Sequence, residues 1–563
     1  MTARTSSNGQ GAERGAELGK RPLPLQAGPP TRSAPQRALR GVASPDGYFD
    51  VVIVGSGAGG GTMAHALSNT GARVLVVERG EAVPQEAENW DPAAVWQQKR
   101  YRPKELWLDR RGRPFLPFVH YVVGGNTKFW GSVLYRLRRD DFDAIEHADG
   151  ISPAWPIDYD TLAPWYAHAE RLYHVHGQHG ADPTDADREP FPYPPIPHEP
   201  PVLELVEGLR GLGLHPSHLP LGLVSPGLPG GCILCNTCAS FPCRIRAKSD
   251  AETRCIEPAL DSPTVTMWTG TQAHRLVTDG TGRKITGLEL VRGDEQLTVG
   301  AGTVVVACGA VNSAALLLRS ANDRHPNGLA NSSGLVGRNY MAHNSTMMEA
   351  FHPFKINSTV FQKTVSINDF YRAGNGRPYP LGHIQSQGRA HTPVVRAVKP
   401  YLPRWAVDPW VSRGVDWLAM SEDLPRRSNR VLVGPGGGIR LDYRPNNLRA
   451  HAELVRQARR ILKRLGYWTV LTHSFQVQNT THQCGTLIFG TDPKTSVLDT
   501  FCRSHDVDNL FVVDASFFPS SAAVNPGLTI IAQSLRVADH LIGNDLDQPT
   551  THAADHLIAN DLG

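Results

Sequence analysis

The chain has 563 residues, a formal charge of +4 from 57 basic and 53 acidic side chains, and 40% hydrophobic and 20% charged content. This length calls for two or three domains, and the near balance of charge gives no argument for nucleic acid or a membrane surface as partner. No apolar run reaches the roughly 18 residues of a membrane span, and eight cysteines in so long a chain are not a disulfide framework.

Residues 1–46 hold Arg, Gly, Pro and Ser without an apolar core segment. They read as a flexible leader rather than a secretory signal, so a cytoplasmic location is expected. Phe49–Val54 is a short, Val-rich apolar run, the pattern of a buried parallel strand. Gly55-x-Gly57-x-x-Gly60 follows, then a helical pattern through Met63, Ala64, Ala66 and Leu67, then a second apolar run, Val74–Val77, ending in Glu78 and Arg79. This is a βαβ unit with a dinucleotide fingerprint in the right context. Gly55 permits the tight turn, Gly57 lets the backbone approach a pyrophosphate on the helix N-terminus, and Gly60 lets helix and strand pack closely. Glu78 lies 23 positions after Gly55, where an acid binds ribose hydroxyls. That implies FAD or NAD rather than NADP, and the fingerprint leaves those two open.

Gly124-Gly125-Asn126-Thr127 predicts a turn or close loop whose N–H groups and small polar side chains face a cofactor, with a plain turn as the alternative. Asp158 or Asp160 caps a helix through Leu162, Trp165, Tyr166, Ala169 and Leu172. Residues 181–200 are a Pro-rich crossing and 203–212 a short amphipathic helix. Thr264–Trp268 reads as a strand, Val277–Val291 as a hairpin, and Thr303–Ala307 as a strand ending in Cys308-Gly309-Ala310 before a helix. Between 346 and 480 the texture changes. Segments such as Thr364–Phe370 and Arg430–Val433 suggest an antiparallel sheet, and 447–465 a helix. Asn509–Asp514 is again a strand ending in an acid, and Leu528–Ile542 an apolar helix. Residues 536–546 recur nearly intact at 552–562, a short terminal duplication.

These blocks together resemble the glucose–methanol–choline (GMC) flavin oxidoreductases. The resemblance rests on VIVGSGAGGG, VVGGNTKFWG, GAVNSAALLLRSA, GLVGRNYMAH, HQCGT and DNLFVVDASFFPSSAAVNPGLTIIAQSLRVADHL, and runs from about residue 48 to 542. It implies an α/β fold: a discontinuous Rossmann-like FAD-binding domain (47–150, 225–345 and 481–546) and an antiparallel-sheet substrate-binding domain with lid elements (151–224 and 346–480). The leader 1–46 and a C-terminal extension, 547–563, lie outside both. The resemblance also implies oxidation of a CH–OH group of an alcohol, polyol, sterol or sugar by hydride transfer to flavin N5. His482 would be the general base and Asn525 a hydrogen-bond donor to the substrate oxygen. A histidine suits the first task because its pKa lies near working pH, whereas an amide can only orient and stabilise.

By the same resemblance, Gly55, Gly57, Ala58, Gly59, Gly60, Glu78, Arg79, Gly124, Gly125, Asn126, Thr127, Gly309, Ala310, Asp514, Ala515, Asn525 and Pro526 hold FAD, and Val524 lies beside it. Some relatives attach FAD to a histidine whose place is taken here by Phe129, so the FAD is expected to be non-covalent. Electrons are expected to pass to a non-oxygen acceptor, a protein, quinone or artificial dye. An oxygen-using oxidase and a flavin-dependent isomerase or lyase are the alternatives, and a non-catalytic flavin-binding protein is disfavoured by the presence of both His482 and Asn525. Cys232, Cys235, Cys238 and Cys243 fall in one short segment. Such spacing suits an iron–sulfur cluster, as in some bacterial members, or zinc. Plain thiols or a disulfide stand beside those readings, and no metal is assigned to the site.

Overall fold

The computed structural model describes residues 47–374, 376–544 and 546. The expected leader, the extension 547–563 and the second copy of the terminal duplication lie outside the described residues. β1 (Tyr48–Val54), α1 (Ala58–Leu67) and β2 (Val74–Val77) form the expected βαβ unit. β1 lies between β2 and the long strand Glu295–Val306, parallel to both, with Val54 level with Val77 and Val306. Val265–Trp268 extends the parallel set beyond β2, and Leu510–Val512 pairs with the end of Glu295–Val306. These strands are almost wholly apolar because helices or loops cover both faces. The register brings Gly55, Glu78, Ala307 and Val513 to one level at the carboxyl edge, where open α/β sheets bind ligands. An antiparallel hairpin, Thr271–Thr278 and Ile285–Arg292, continues the same sheet.

A second sheet is antiparallel throughout, in the order Thr469–Ser474, Asn344–Phe351, Gly414–Ser421, His383–Ser386, Val365–Ile367 and Pro216–His218. Its side chains alternate between two faces. Met348, Ala350, Trp417 and Ala419 join Leu454, Ala458 and Leu462 of the helix Leu448–Arg464 in one apolar cluster. Met347, Glu349, Asp416 and Leu418 face the other way, into a cavity. That helix is apolar on one stripe and charged on the other, which is why it packs as a cover and not as a core element.

One expectation is corrected. Arg430–Val433 is not part of this antiparallel sheet. It pairs with Ile439–Asp442, which runs parallel to Trp107–Asp109, in a separate four-stranded sheet. Its alternating pattern identified a half-buried strand, and alternation carries no information about the distant partner. In the other segment singled out by alternation, only Val365–Ile367 is a strand, and a turn begins at Asn368. The helix Tyr159–Leu172, capped by Asp158, packs against the last helix, Gly527–Asn544, where Tyr166 Oη lies 2.8 Å from Thr529 Oγ1. No helix among the described residues is long and apolar enough to cross a membrane.

Candidate active site

A cavity of about 820 Å³ lies between the carboxyl edge of the parallel sheet and the open face of the antiparallel one. Its floor is built by the first turn of the chain. Gly55 has φ +100°, and a β-carbon there would lie 2.5 Å from the Ala307 carbonyl oxygen. Gly60 would meet the Gly55 oxygen at 1.9 Å. Gly57 meets nothing within 4 Å and lines the cavity. The N-terminus of α1 opens on this space with no side-chain cap, so its N–H groups are directed at an incoming anion. The helix Gly527–Asn544 begins at the same cavity, and Ser534 Oγ donates to the Gly59 oxygen at 2.8 Å, tying the two helices together.

Most of the residues expected to hold a cofactor line this cavity: Gly55, Gly57, Ala58, Gly59, Glu78, Arg79, Gly125, Asn126, Thr127, Gly309, Ala310, Asp514, Ala515, Asn525 and Pro526. Gly60 and Gly124 stand behind its wall, Gly60 against Gly55 and Gly124 against Glu252 and Lys128. Several of the lining side chains already have protein partners. Glu78 accepts from Ser56 N (3.1 Å), Ser56 Oγ (2.7 Å) and Gly80 N (2.9 Å), and burial pushes its pKa up against those bonds. Arg79 donates to Glu105 at 2.7 Å and lies over the Tyr121 ring. Asp514 accepts from Gly309 N (2.9 Å), Ser516 N (2.8 Å) and the hydroxyls of Ser313 and Ser516. It thereby locks the turn after Glu295–Val306 to the turn after Leu510–Val512. Asn126 Oδ1 accepts from His120 N at 2.9 Å, and the His120 ring stacks on Phe129 with centroids 3.8 Å apart.

His482 and Asn525, 43 positions apart in sequence, meet at the cavity. Asn525 Nδ2 lies 3.4 Å from His482 Nε2, and Asn525 Oδ1 is buried without a partner among the described residues. His482 has φ +57°, in the left-handed region that few non-glycine residues occupy. Its other nitrogen, Nδ1, is 2.9 Å from His343 Nδ1, and His343 Nε2 is 3.0 Å from the Ser521 carbonyl oxygen. Burial, and after it the neighbouring His343, Lys363 and His383, hold His482 well below the ordinary 6.5. The imidazole is therefore neutral at working pH and able to take a proton.

The opposite wall was not foreseen from sequence. Lys363 is 4% exposed, faces the cavity and has no ion-pair or hydrogen-bond partner among the described residues. Burial pushes its pKa down to about 8, against a smaller opposing pull from Cys238. Glu349 and Asp416 stand directly opposite each other on adjacent strands of the same wall. Burial first, and then the charge of Asp416, push Glu349 up to about 8, and burial pushes Asp416 to about 6. An acid inside the apolar run GVDWLAMS was the one available signal for Asp416. His343 lies in the GLVGRNYMAH block but had no role assigned to it.

The cysteine segment lies beside the main cavity, which Ala239, Ser240 and Phe241 line. Cys232, Cys235, Cys238 and Cys243 carry free thiols around a much smaller hollow. Among the described residues no group of three or more His, Cys, Asp or Glu is arranged to hold a metal ion. Lys248, 1% exposed, donates to the carbonyls of Lys128 (3.2 Å), Trp130 (3.0 Å), Cys238 (2.9 Å) and Phe241 (2.6 Å), and so fastens this segment to the cavity wall.

Comparison with known proteins adds to this geometry. Residues 50–345 and 435–534 match the two parts of the GMC oxidoreductase family. The chain is 30% identical to paromamine 6'-oxidase of Streptomyces fradiae, over 90% of this chain and 94% of that one. It is 28% identical to the fructose dehydrogenase large subunit of Gluconobacter japonicus, over 89% and 98%. It is 26% identical to 2-methyl-1,2-propanediol dehydrogenase of Mycolicibacterium austroafricanum, over 89% and 97%. In fold it is similar to the crystal structure of pyridoxine 4-oxidase from Mesorbium loti, with TM-score 0.63 and 19% identity, over 88% of this chain and all of that one.

Proposed function

The chain belongs to the GMC oxidoreductase family, and from that premise we propose that it binds FAD non-covalently and oxidises a CH–OH group of a small alcohol or sugar, with His482 as the base. Its relatives act on alcohol-type groups, and enzymes of the family generally bind FAD. The residues present fit that cofactor. Two helix N-termini open on one cavity, and Gly57 leaves its side of the cavity floor clear where a pyrophosphate would lie. When bound, FAD supplies the acceptor for the hydride. Every other part of the work falls to the chain itself.

The observation that carries the reading is the placement of His482 Nε2 beside Asn525 Nδ2 in the cavity. A hydroxyl seated between them donates its proton to the imidazole and accepts a hydrogen bond from the amide. As the proton leaves, the oxygen's negative charge drives the hydride off the carbon. The amide and the nearby Lys363 ammonium offset that charge while it develops. Electrons then pass to a protein, quinone or dye acceptor. An oxygen-using oxidase is the second reading, favoured by the 30% identity to a protein named as an oxidase.

The test is anaerobic mixing of the FAD-loaded protein with a panel: paromamine, fructose, 2-methyl-1,2-propanediol, gluconate, 5-(hydroxymethyl)furfural and a long-chain primary alcohol. Bleaching of the flavin by at least one member is expected. Reoxidation by air with peroxide release, compared with reoxidation by a dye, separates oxidase from dehydrogenase. Protein that holds no flavin, or flavin that no member reduces, would count against the proposal.

A further inference from the structure

We propose that His343 is a positioning residue that fixes the single proton of His482 on Nδ1, leaving the Nε2 lone pair aimed at the substrate hydroxyl. The inference rests on the reading of His482 as the base and explains which of its two nitrogens does that work.

A chain of hydrogen bonds runs inward from the Ser521 carbonyl. His343 is 4% exposed, and burial keeps it neutral. Its Nε2 lies 3.0 Å from the Ser521 oxygen, which can only accept, so Nε2 carries the proton. Nδ1 of His343 is then bare. It lies 2.9 Å from His482 Nδ1, and two bare nitrogens would repel at that distance, so His482 carries its proton on Nδ1. A neutral imidazole has one N–H, and Nε2 is therefore the free base. Asn525 Nδ2, a donor at 3.4 Å, suits that lone pair until a substrate hydroxyl takes its place. The opposite assignment sets two lone pairs against each other at Nδ1 and two N–H groups against each other at Nε2.

The Ser521 carbonyl is itself held firmly. The Ser521 hydroxyl bridges Asp423 N (3.2 Å) and Asp423 O (3.0 Å), and Ala522 takes the left-handed conformation at φ +51°. His482 is left-handed as well, so two strained turns face each other across His343. Such strain in non-glycine residues is kept where the surroundings dictate one geometry. When the substrate proton arrives at Nε2, His482 becomes an imidazolium whose Nδ1–H still donates to His343, now as a charge-assisted bond.

Two substitutions separate this role from a purely structural one. In His343→Asn the shorter amide puts an oxygen near the Nδ1 position, keeping an acceptor for His482 and losing the bond to Ser521. In His343→Gln the longer amide reaches Ser521 and loses the acceptor. On the FAD-loaded full chain with ¹⁵N-labelled histidine, the His482 signal, assigned by its absence in His482→Ala, is expected to report Nδ1–H in the native protein and in His343→Asn. In His343→Gln it is expected to report mixed tautomers. With whichever panel alcohol bleaches the flavin fastest, reduction is expected within about threefold of native for His343→Asn, and roughly 30- to 100-fold slower for His343→Gln. The reverse ranking, or a native His482 protonated at Nε2, would overturn the proposal. The tautomer measurement needs no substrate, so it stands or falls apart from the oxidation reading, which His482→Ala decides.

Discussion

Gly59 sits so close to Val513 that a β-carbon on it would lie 1.9 Å from the Val513 carbonyl oxygen, whereas two residues earlier Gly57 has nothing within 4 Å. The first contact is backbone on backbone and cannot relax cheaply. The second position is open because it faces the cavity. Gly59→Ala is therefore expected to disrupt the folded protein, with low yield and loss of flavin together. Gly57→Val should leave the unfolding temperature of the flavin-free protein within about 2 °C of native, yet fail to retain FAD. Calorimetry and the visible flavin spectrum of each variant check this. Stoichiometric FAD in Gly57→Val would show that the pyrophosphate lies elsewhere.

His482→Ala is expected to keep FAD and to slow flavin reduction roughly 10²- to 10⁴-fold. The native rate carries a pH signature. Because burial holds His482 well below 6.5, the base is lost only as pH falls through that lowered value. Stopped-flow reduction should thus be flat between about pH 6.5 and 7, decline on the acid side only well below that, and fall on the alkaline side as the Lys363 ammonium titrates near pH 8. A limb centred at the ordinary histidine value would place the base in a more exposed site.

Lys363 is a cation held in an enclosed wall without a partner among the described residues. Its folded pKa of about 8 lies below its ordinary 10.5, so the folded state carries the full penalty below pH 8 and sheds it as pH rises toward 10.5. Lys363→Met should accordingly stabilise the protein at pH 7 by up to about 3 kcal/mol, with a smaller gain at pH 9.5. Flavin reduction should meanwhile slow by roughly tenfold or more, because the charge that offsets the developing alkoxide is gone. Denaturant unfolding at the two pH values, paired with stopped-flow reduction, tests both halves. A destabilised variant would mean that the ammonium has a partner or ready access to water.

The parts of this site that were legible in the sequence are the local ones. Val-rich runs followed by Gly55, Gly309 or Asp514 dictate strand, turn and helix within a few residues, and the last block places Asn525 just ahead of the helix Gly527–Asn544. The facing wall is different. Met347, Glu349, Lys363, Gln385 and Asp416 come from separate strands and loops; the pairing of Asn344–Phe351 with Gly414–Ser421 sets Glu349 against Asp416, the pairing of His383–Ser386 with Gly414–Ser421 adds Gln385, and Lys363 faces the same cavity from outside the strands. Alternation announces such strands and is silent about partners, which is also why it does not reveal that Arg430–Val433 pairs with Ile439–Asp442 in a sheet separate from the one holding Val365–Ile367. His343 was overlooked for a related reason, since its meaning comes from Ser521 and His482, each more than a hundred positions away.

By the family resemblance Phe129 would take the place of a histidine that could bond to FAD, and its ring is packed against His120. A phenyl ring offers no nucleophile, so acid precipitation of the holoprotein should release all of the flavin to the supernatant. Flavin remaining with the pellet would point to attachment through another side chain, and peptide mapping would locate it.

Glu349 and Asp416 stand opposite each other on adjacent strands, where two carboxylates repel unless they share a proton or meet a cation. Glu349 is pushed up to about 8 and Asp416 to about 6, above their ordinary values. A carboxyl whose folded pKa is raised binds its proton more tightly when folded. Stability from this pair is thus full in acid, below the unfolded values, and drains away as pH rises from those values to about 8. Glu349→Gln fixes one partner in the neutral state. It should change the unfolding temperature little near pH 4, where the carboxyl is protonated folded and unfolded alike, and raise it by about 2 °C or more at pH 8.5. The same variant at pH 8.5 should lose affinity for an amine-bearing alcohol relative to a neutral polyol, since an ammonium is the group that relieves the doubly ionised pair. Equal unfolding shifts at both pH values would show that the two carboxyls do not titrate together in this wall.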